Sequence, residues 1–128
     1  MTTQIKIVFD QGELPAQLDD SSTGVAIAQS LPLEAEVSRW GDEVYFTIPV
    51  NLPEAPEARQ DMAVGELGYW PVGTAFCIFF GPTPASTGPT PRAYSNVNPF
   101  GKILADEPAI RETLSQVRDG QRVRVVAA

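Results

Sequence analysis

The sequence has no histidine, a single cysteine, nine basic residues against sixteen acidic ones, and no long apolar run. Each shortage closes off some chemistry. Without histidine the chain lacks the commonest metal ligand and the commonest general base, so zinc chemistry and Ser-His or Cys-His catalysis are excluded. A lone Cys77 builds no internal disulfide framework. No segment approaches the ~18 consecutive apolar residues of a membrane span. The start, Met1-Thr2-Thr3-Gln4-Ile5-Lys6, has neither the basic cluster nor the apolar core of a signal peptide. The expectation is a cytoplasmic protein with no membrane partner. The net charge of −7 makes nucleic acid a poor partner too. Residues 1–66 carry twelve acids and three bases, residues 67–128 four acids and six bases. The late bases Arg111, Arg118, Arg122 and Arg124 read as solvated cations at a helix end and a sheet edge.

What is present points to strands. A chain of 128 residues, read as one domain over 1–128, buries about two thirds of its unfolded surface and needs no metal or disulfide staple. Twelve prolines and ten glycines favour strands and turns over a helical bundle. Gln4–Phe9 alternates Ile5, Ile7 and Phe9 against Gln4 and Lys6, which is the period of a half-buried strand. Asp10-Gln11-Gly12 turns it, and Glu13–Leu18 returns as a second strand. The segment 19–22 supplies N-cap residues, and Thr23, Ile27 and Leu31 trace a short helix that Pro32 ends. Leu33–Trp40 alternates as a strand, Gly41-Asp42 reads as a hairpin turn, and Glu43–Val50 is the return strand. Residues 51–60 read as a surface loop.

Thr74–Phe80 is apolar on both faces and must be covered on both sides, which makes it the expected centre of the core. The four prolines and two glycines of Gly81–Pro91 make a loop. Asn96–Leu104 resumes as a strand, and Asp106-Glu107-Pro108 opens a helix with Ile110, Leu114 and Val117 on one side. Gln121–Val126 is the last strand. Six to eight strands with one early and one late helix suggest a mainly β fold, a closed and mostly antiparallel β-barrel with two short capping helices.

Three segments carry a family resemblance. Trp40-Gly41-Asp42-Glu43-Val44-Tyr45-Phe46, Gly65-Glu66-Leu67-Gly68-Tyr69-Trp70-Pro71 and Phe79-Phe80-Gly81-Pro82-Thr83-Pro84 together resemble the small prokaryotic cyclophilin-like family, whose members are largely of uncharacterised function. Asn98–Leu104 and the helix after it are similar to the Phe-Gly-Lys strand and helix of true cyclophilins. That resemblance implies a cyclophilin-like β-barrel. It does not bring the chemistry with it. True cyclophilins rotate X-Pro bonds, lowering a barrier of ~18–20 kcal/mol, with an arginine that polarises the amide. The strand expected to present Phe-His-Arg is here Val44-Tyr45-Phe46-Thr47-Ile48, and the glutamine of the Met-x-Gln-Gly-like segment is replaced by Val64 in Met62-Ala63-Val64-Gly65. Arg39 and Arg92 are near these segments without matching the motif.

The candidate site therefore reads as one for binding. Tyr69 and Trp70 stand at a turn before Pro71, where an aromatic pair forms either the floor of a groove or packing at the barrel end. Arg92, Tyr94 and Asn96 alternate after the proline loop, which aims them to one side of an extended segment. The expected groove is lined by Tyr45, Tyr69, Trp70, Arg92 and Tyr94, takes a small organic molecule or short peptide, and uses no cofactor or metal. Trp40 has the same two readings, with a hairpin plug preferred over a groove floor; Asp42 and Glu43 read as solvated turn residues, Glu66 as a backbone hydrogen-bond partner, and Cys77 as a small buried hydrophobe. The competing expectation is an enzyme, either a weak prolyl isomerase or a catalyst acting on a small metabolite.

Overall fold

A computed structural model describes residues 2–128; Met1, the first residue of the N-terminal stretch read above, lies outside the described residues. Along the chain come β1 (Thr3–Phe9), β2 (Gly12–Leu18), α1 (Ser22–Ser30), β3 (Leu33–Glu36), β4 (Ser38–Arg39), β5 (Glu43–Thr47) and β6 (Arg59–Asp61). They are followed by β7 (Glu66–Trp70), β8 (Ala75–Phe79), β9 (Arg92–Ile103), α2 (Glu107–Leu114) and β10 (Arg122–Ala127). The order across the sheet is β3-β10-β1-β2-β9-β7-β8-β5-β4, with β6 paired to β9 off this path. The ladders are antiparallel.

The first hairpin follows the sequence pattern. β1 and β2 pair from Thr3 opposite Leu18 to Phe9 opposite Gly12, and Ile5, Ile7, Phe9, Leu14, Ala16 and Leu18 point into the core. The Ser21 hydroxyl caps α1 by accepting from the Gly24 N–H at 3.0 Å. The Asp106 carboxylate does the same for α2 through the Ala109 N–H.

The strand expected over Leu33–Trp40 is two strands. Val37 sits between β3 and β4, and its backbone is held by the loop before β10: its N–H donates to Gln121 O at 2.9 Å and its carbonyl accepts from Gly120 N at 2.8 Å. Those bonds turn a corner, so that β3 pairs with β10 and β4 with β5. This also alters the expectation of a barrel closed by hydrogen bonds. No ladder joins β3 to β4, the two ends of the path; the covalent chain at Val37 connects them instead.

Fully buried aromatics dominate the main core. Phe76 stacks on Phe46 with ring centroids 4.8 Å apart and meets Phe100 edge-on at 4.9 Å. Burial of each such side chain contributes roughly 2–3 kcal/mol. Ile27 of α1 and Ile110 and Leu114 of α2 pack against the same cluster. β8 is buried on both faces, as its unbroken apolar run requires. Phe76 and Ile78 enter the main core, whereas Ala75, Cys77 and Phe79 join a second cluster with Met62, Ala93 and Val97.

The strand β7 falls where the sequence reads as turns, because Gly65, Gly68, Pro71 and Gly73 punctuate it. Gly68 is there for space. A Cβ at this position would stand 2.6 Å from Val97 Cγ2, so only glycine lets β9 lay Val97 across β7. The register of β7 on β9 shifts between Leu67 and Gly68, a bulge that leaves Phe100 in the core. β9 itself begins at Arg92, earlier than its sequence suggests, because β6 pairs with its first half. The buried Asn98 amide ties down the preceding loop by accepting from Ala55 N at 2.8 Å and donating to Pro53 O at 3.1 Å.

Candidate functional site

A pocket of about 100 Å³ opens on the second face of the sheet, lined by Trp40, Glu43, Tyr45, Trp70, Cys77, Ala93, Tyr94 and Val97. Its floor is low because the strands present small residues there. Gly68 is opposite Cys77, and Trp70 is opposite Ala75, while Ala93 comes in from β9. Large aromatics surround this floor. Tyr94 stands edge-on to both Trp40 and Trp70, with each pair of ring centroids 5.9 Å apart. The Trp70 indole N–H donates to Ser95 Oγ at 2.6 Å, and the Trp40 backbone N–H donates to Glu43 O at 3.0 Å. The Trp70 indole is thus tethered to β9, and the Trp40 backbone to β5.

Glu43 is the single acid in the lining, and it is only 6% exposed. Burial pushes its carboxyl from 4.5 up to about 7, and a hydrogen bond from the Cys77 thiol opposes that rise. The thiol is pushed well above its ordinary range by its own burial, reinforced by the neighbouring Glu43 charge. Cys77 is therefore a protonated, weakly nucleophilic thiol at neutral pH.

The structure brings together three of the five residues expected to form the groove: Tyr45, Trp70 and Tyr94. Tyr69 goes elsewhere. Alternation along β7 turns its ring into the main core at 0% exposure, where its hydroxyl donates to Val50 O and accepts from Leu52 N. Arg92 turns towards β6, donating to Asp61 Oδ1 at 2.9 Å and Gln60 Oε1 at 3.0 Å. Asn96 reaches Glu54 instead, so the three alternating residues of β9 do not converge. Arg39 is not free to swing in. Its guanidinium donates to the carbonyls of Val117 at 2.8 Å and Ser115 at 3.3 Å, closing the C-terminal end of α2, and lies 5.0 Å from the Phe80 ring centroid. Glu66 accepts from the Ala63 N–H at 2.9 Å and pairs with Arg59, as a backbone-organising residue would.

The sequence reading missed Glu43 and the pocket-facing side of Cys77, and it preferred a hairpin plug to a groove wall for Trp40, which lines the pocket. Asp42 is half-buried and pairs with Arg39 at 3.5 Å, but Glu43 is no solvated turn residue. One signal for it was available. Glu43 and Tyr45 are two apart and share a face of β5, and Tyr45 is opposite Cys77 on β8. Finding the pocket also required knowing that β7 and β9 bring Gly68 and Ala93 to that face.

Comparison with known proteins agrees with the architecture. The cyclophilin-like family model matches residues 3–126. The chain belongs to the cyclophilin-like family. The solution structure of a hypothetical protein from Archaeoglobus fulgidus is similar to this cyclophilin-like chain with a TM-score of 0.79 and 33% sequence identity, covering 98% of this chain and 95% of the other. No curated protein matches the sequence. Among the described residues, no helix is long and apolar enough to cross a membrane, and no group of three or more Cys, Asp or Glu side chains is placed to hold a metal ion.

Proposed function

We propose that this cyclophilin-like protein is a cytoplasmic binding module that takes a small organic molecule, or the end of a short peptide, into the pocket between Trp40, Trp70 and Tyr94. The observation that carries this reading is the concave, preformed aromatic site of about 100 Å³ with one carboxyl in its lining. That space is several times the roughly 10–15 Å³ that admits one water, and the mix of apolar walls with a few polar groups is the usual make-up of a small-molecule site. A thermal-shift screen of metabolites tests it. At about a hundredfold excess over Kd a ligand stabilises the folded state by about 2.7 kcal/mol. The shift is expected to vanish in Tyr94→Ala and to persist in Arg92→Ala, whose side chain is engaged with Asp61 and Gln60. No stabilising ligand in a broad screen, or a hit indifferent to Tyr94→Ala, would sink this reading.

Prolyl isomerisation has less support, since none of the pocket-lining residues is an arginine. A protease-coupled assay on X-Pro peptides is expected to show no acceleration over background. One observation favours a metabolite-directed enzyme instead: a buried carboxyl poised at about 7 suits general acid or base work. Turnover of any screened ligand that is lost in Glu43→Gln would support that second reading.

A further inference from the structure

The pocket's chemistry is more specific than its volume. Glu43 lies in the lining of an aromatic enclosure, and the side-chain donor acting on its carboxyl there is the Cys77 thiol, a weak one. None of the lining residues is cationic. The arginines on adjoining segments are occupied: Arg39 with the end of α2 and Asp42, Arg92 with Asp61 and Gln60, and Arg59 with Glu66. The chain thus carries an acid into an apolar site and supplies it with no counter-charge, an arrangement that is costly unless it serves recognition. Aromatic rings attract cations through their quadrupoles, and Trp does so best. This pocket has two Trp and two Tyr in its lining.

The type of cation follows from the scarcity of acceptors. A primary ammonium has three N–H donors and sheds strongly bound water to enter. In the lining it would find one carboxylate, the phenol oxygens of Tyr45 and Tyr94, and otherwise ring and aliphatic surface. An alkylated ammonium has few or no donors to satisfy and presents apolar methyl groups to Ala93, Val97 and the rings. We propose that the pocket recognises an alkylated ammonium group carried by a small molecule, with Trp40, Tyr45, Trp70 and Tyr94 around the methyl groups and the Glu43 carboxylate as counter-ion. This rests on the binding function proposed above and narrows it to a ligand class.

The titratable groups sharing the pocket with Glu43 are Tyr45 on the same strand, Cys77 on β8 and Tyr94 on β9. A cation must be met by the ionised Glu43, so binding is expected to release protons. Affinity should weaken by about tenfold per pH unit well below the Glu43 midpoint of about 7, and level off above it.

The test is calorimetric titration with choline and tetramethylammonium against 3,3-dimethyl-1-butanol, the uncharged isostere of choline, at about pH 6 and about pH 8.5, either side of the Glu43 midpoint. A peptide carrying trimethyllysine is the parallel arm that distinguishes a macromolecular source of the same group. Choline is expected to bind at least roughly tenfold more tightly than dimethylbutanol at the higher pH. Glu43→Gln should erase most of that preference without altering the near-UV circular dichroism, and Tyr94→Ala should weaken both ligands. Tighter binding by the peptide than by choline would keep the ammonium chemistry and overturn the small-molecule source. Equal binding of choline and dimethylbutanol would overturn the cation inference and leave the pocket standing. So would no binding of choline beside a screened ligand that depends on Tyr94. Failure of every ligand would remove both proposals.

Discussion

On one side β8 places Phe76 and Ile78 into the main core; on the other it places Ala75, Cys77 and Phe79 under Tyr45 and Trp70. Both faces are apolar, yet they are built differently. Inside, ring meets ring across the sheet, as in the stack of Phe46 on Phe76, and the Tyr69 hydroxyl is satisfied by backbone at Val50 and Leu52. Outside, the small side chains of Ala75 and Cys77 lie among large aromatics, so the same apolar character leaves a depression. The difference lies in the pairing of sizes rather than in hydrophobicity. Large residues facing large ones fill space, and small residues ringed by large ones enclose it. An acid is tolerable only on the second kind of face, where its oxygens meet a pocket instead of close-packed carbon.

The sharpest way to break this comparison is to truncate the filled face. Phe76→Ala removes a ring held between Phe46 and Phe100 and is expected to cost about 3–5 kcal/mol in urea denaturation. A loss under about 1 kcal/mol would mean that the inner face tolerates voids as the outer one does.

The next effect is of opposite sign and comes from the pocket face. The folded-state value of Glu43 is raised from 4.5 to about 7. Its contribution to stability is therefore fully present below about 4.5 and is lost as pH rises through about 7. Above that the buried charge costs on the order of 3 kcal/mol. Glu43→Gln is expected to stabilise the empty protein by up to that amount at about pH 8 and to leave it nearly unchanged at about pH 4, read from urea midpoints at both pH values. A substitution that destabilises equally at both would show the carboxyl to be a structural hydrogen-bond partner.

The smallest effect belongs outside both faces. Arg92 pairs with the largely exposed Asp61, so Arg92→Ala is expected to shift stability by less than about 0.5–1 kcal/mol and to leave ligand affinity unaltered. A marked loss of affinity would restore Arg92 to the groove where the alternation along β9 first suggested it.

Much of the fold was legible because it depends on local pattern. The alternation of Ile5, Ile7 and Phe9, the capping Ser21 before Thr23 and Ile27, and the two-sided apolar run of β8 each reflect interactions within a few residues. The missed strand shows where local signals mislead. Glycines around Leu67 and Tyr69 read as turns, but Gly68 is needed because Val97, twenty-nine positions later, crosses it. The split at Val37 was hidden for the same reason, since Gln121 and Gly120 bend the strand there. In the site, Tyr45, Trp70 and Tyr94 were recognisable as aromatics near a proposed groove. Glu43 was not, because its burial depends on three other strands.

The sequence by itself determined the strand-rich architecture, the absence of histidine chemistry and the family. Composition and periodicity act along the chain and need no partner. Only the tertiary structure decided that Tyr69 faces inward, that Arg39 and Arg92 are occupied, and that Trp40, Glu43 and Cys77 meet in one pocket. Those outcomes depend on register between strands distant in sequence, where a one-residue shift moves a side chain from the core to the opposite face.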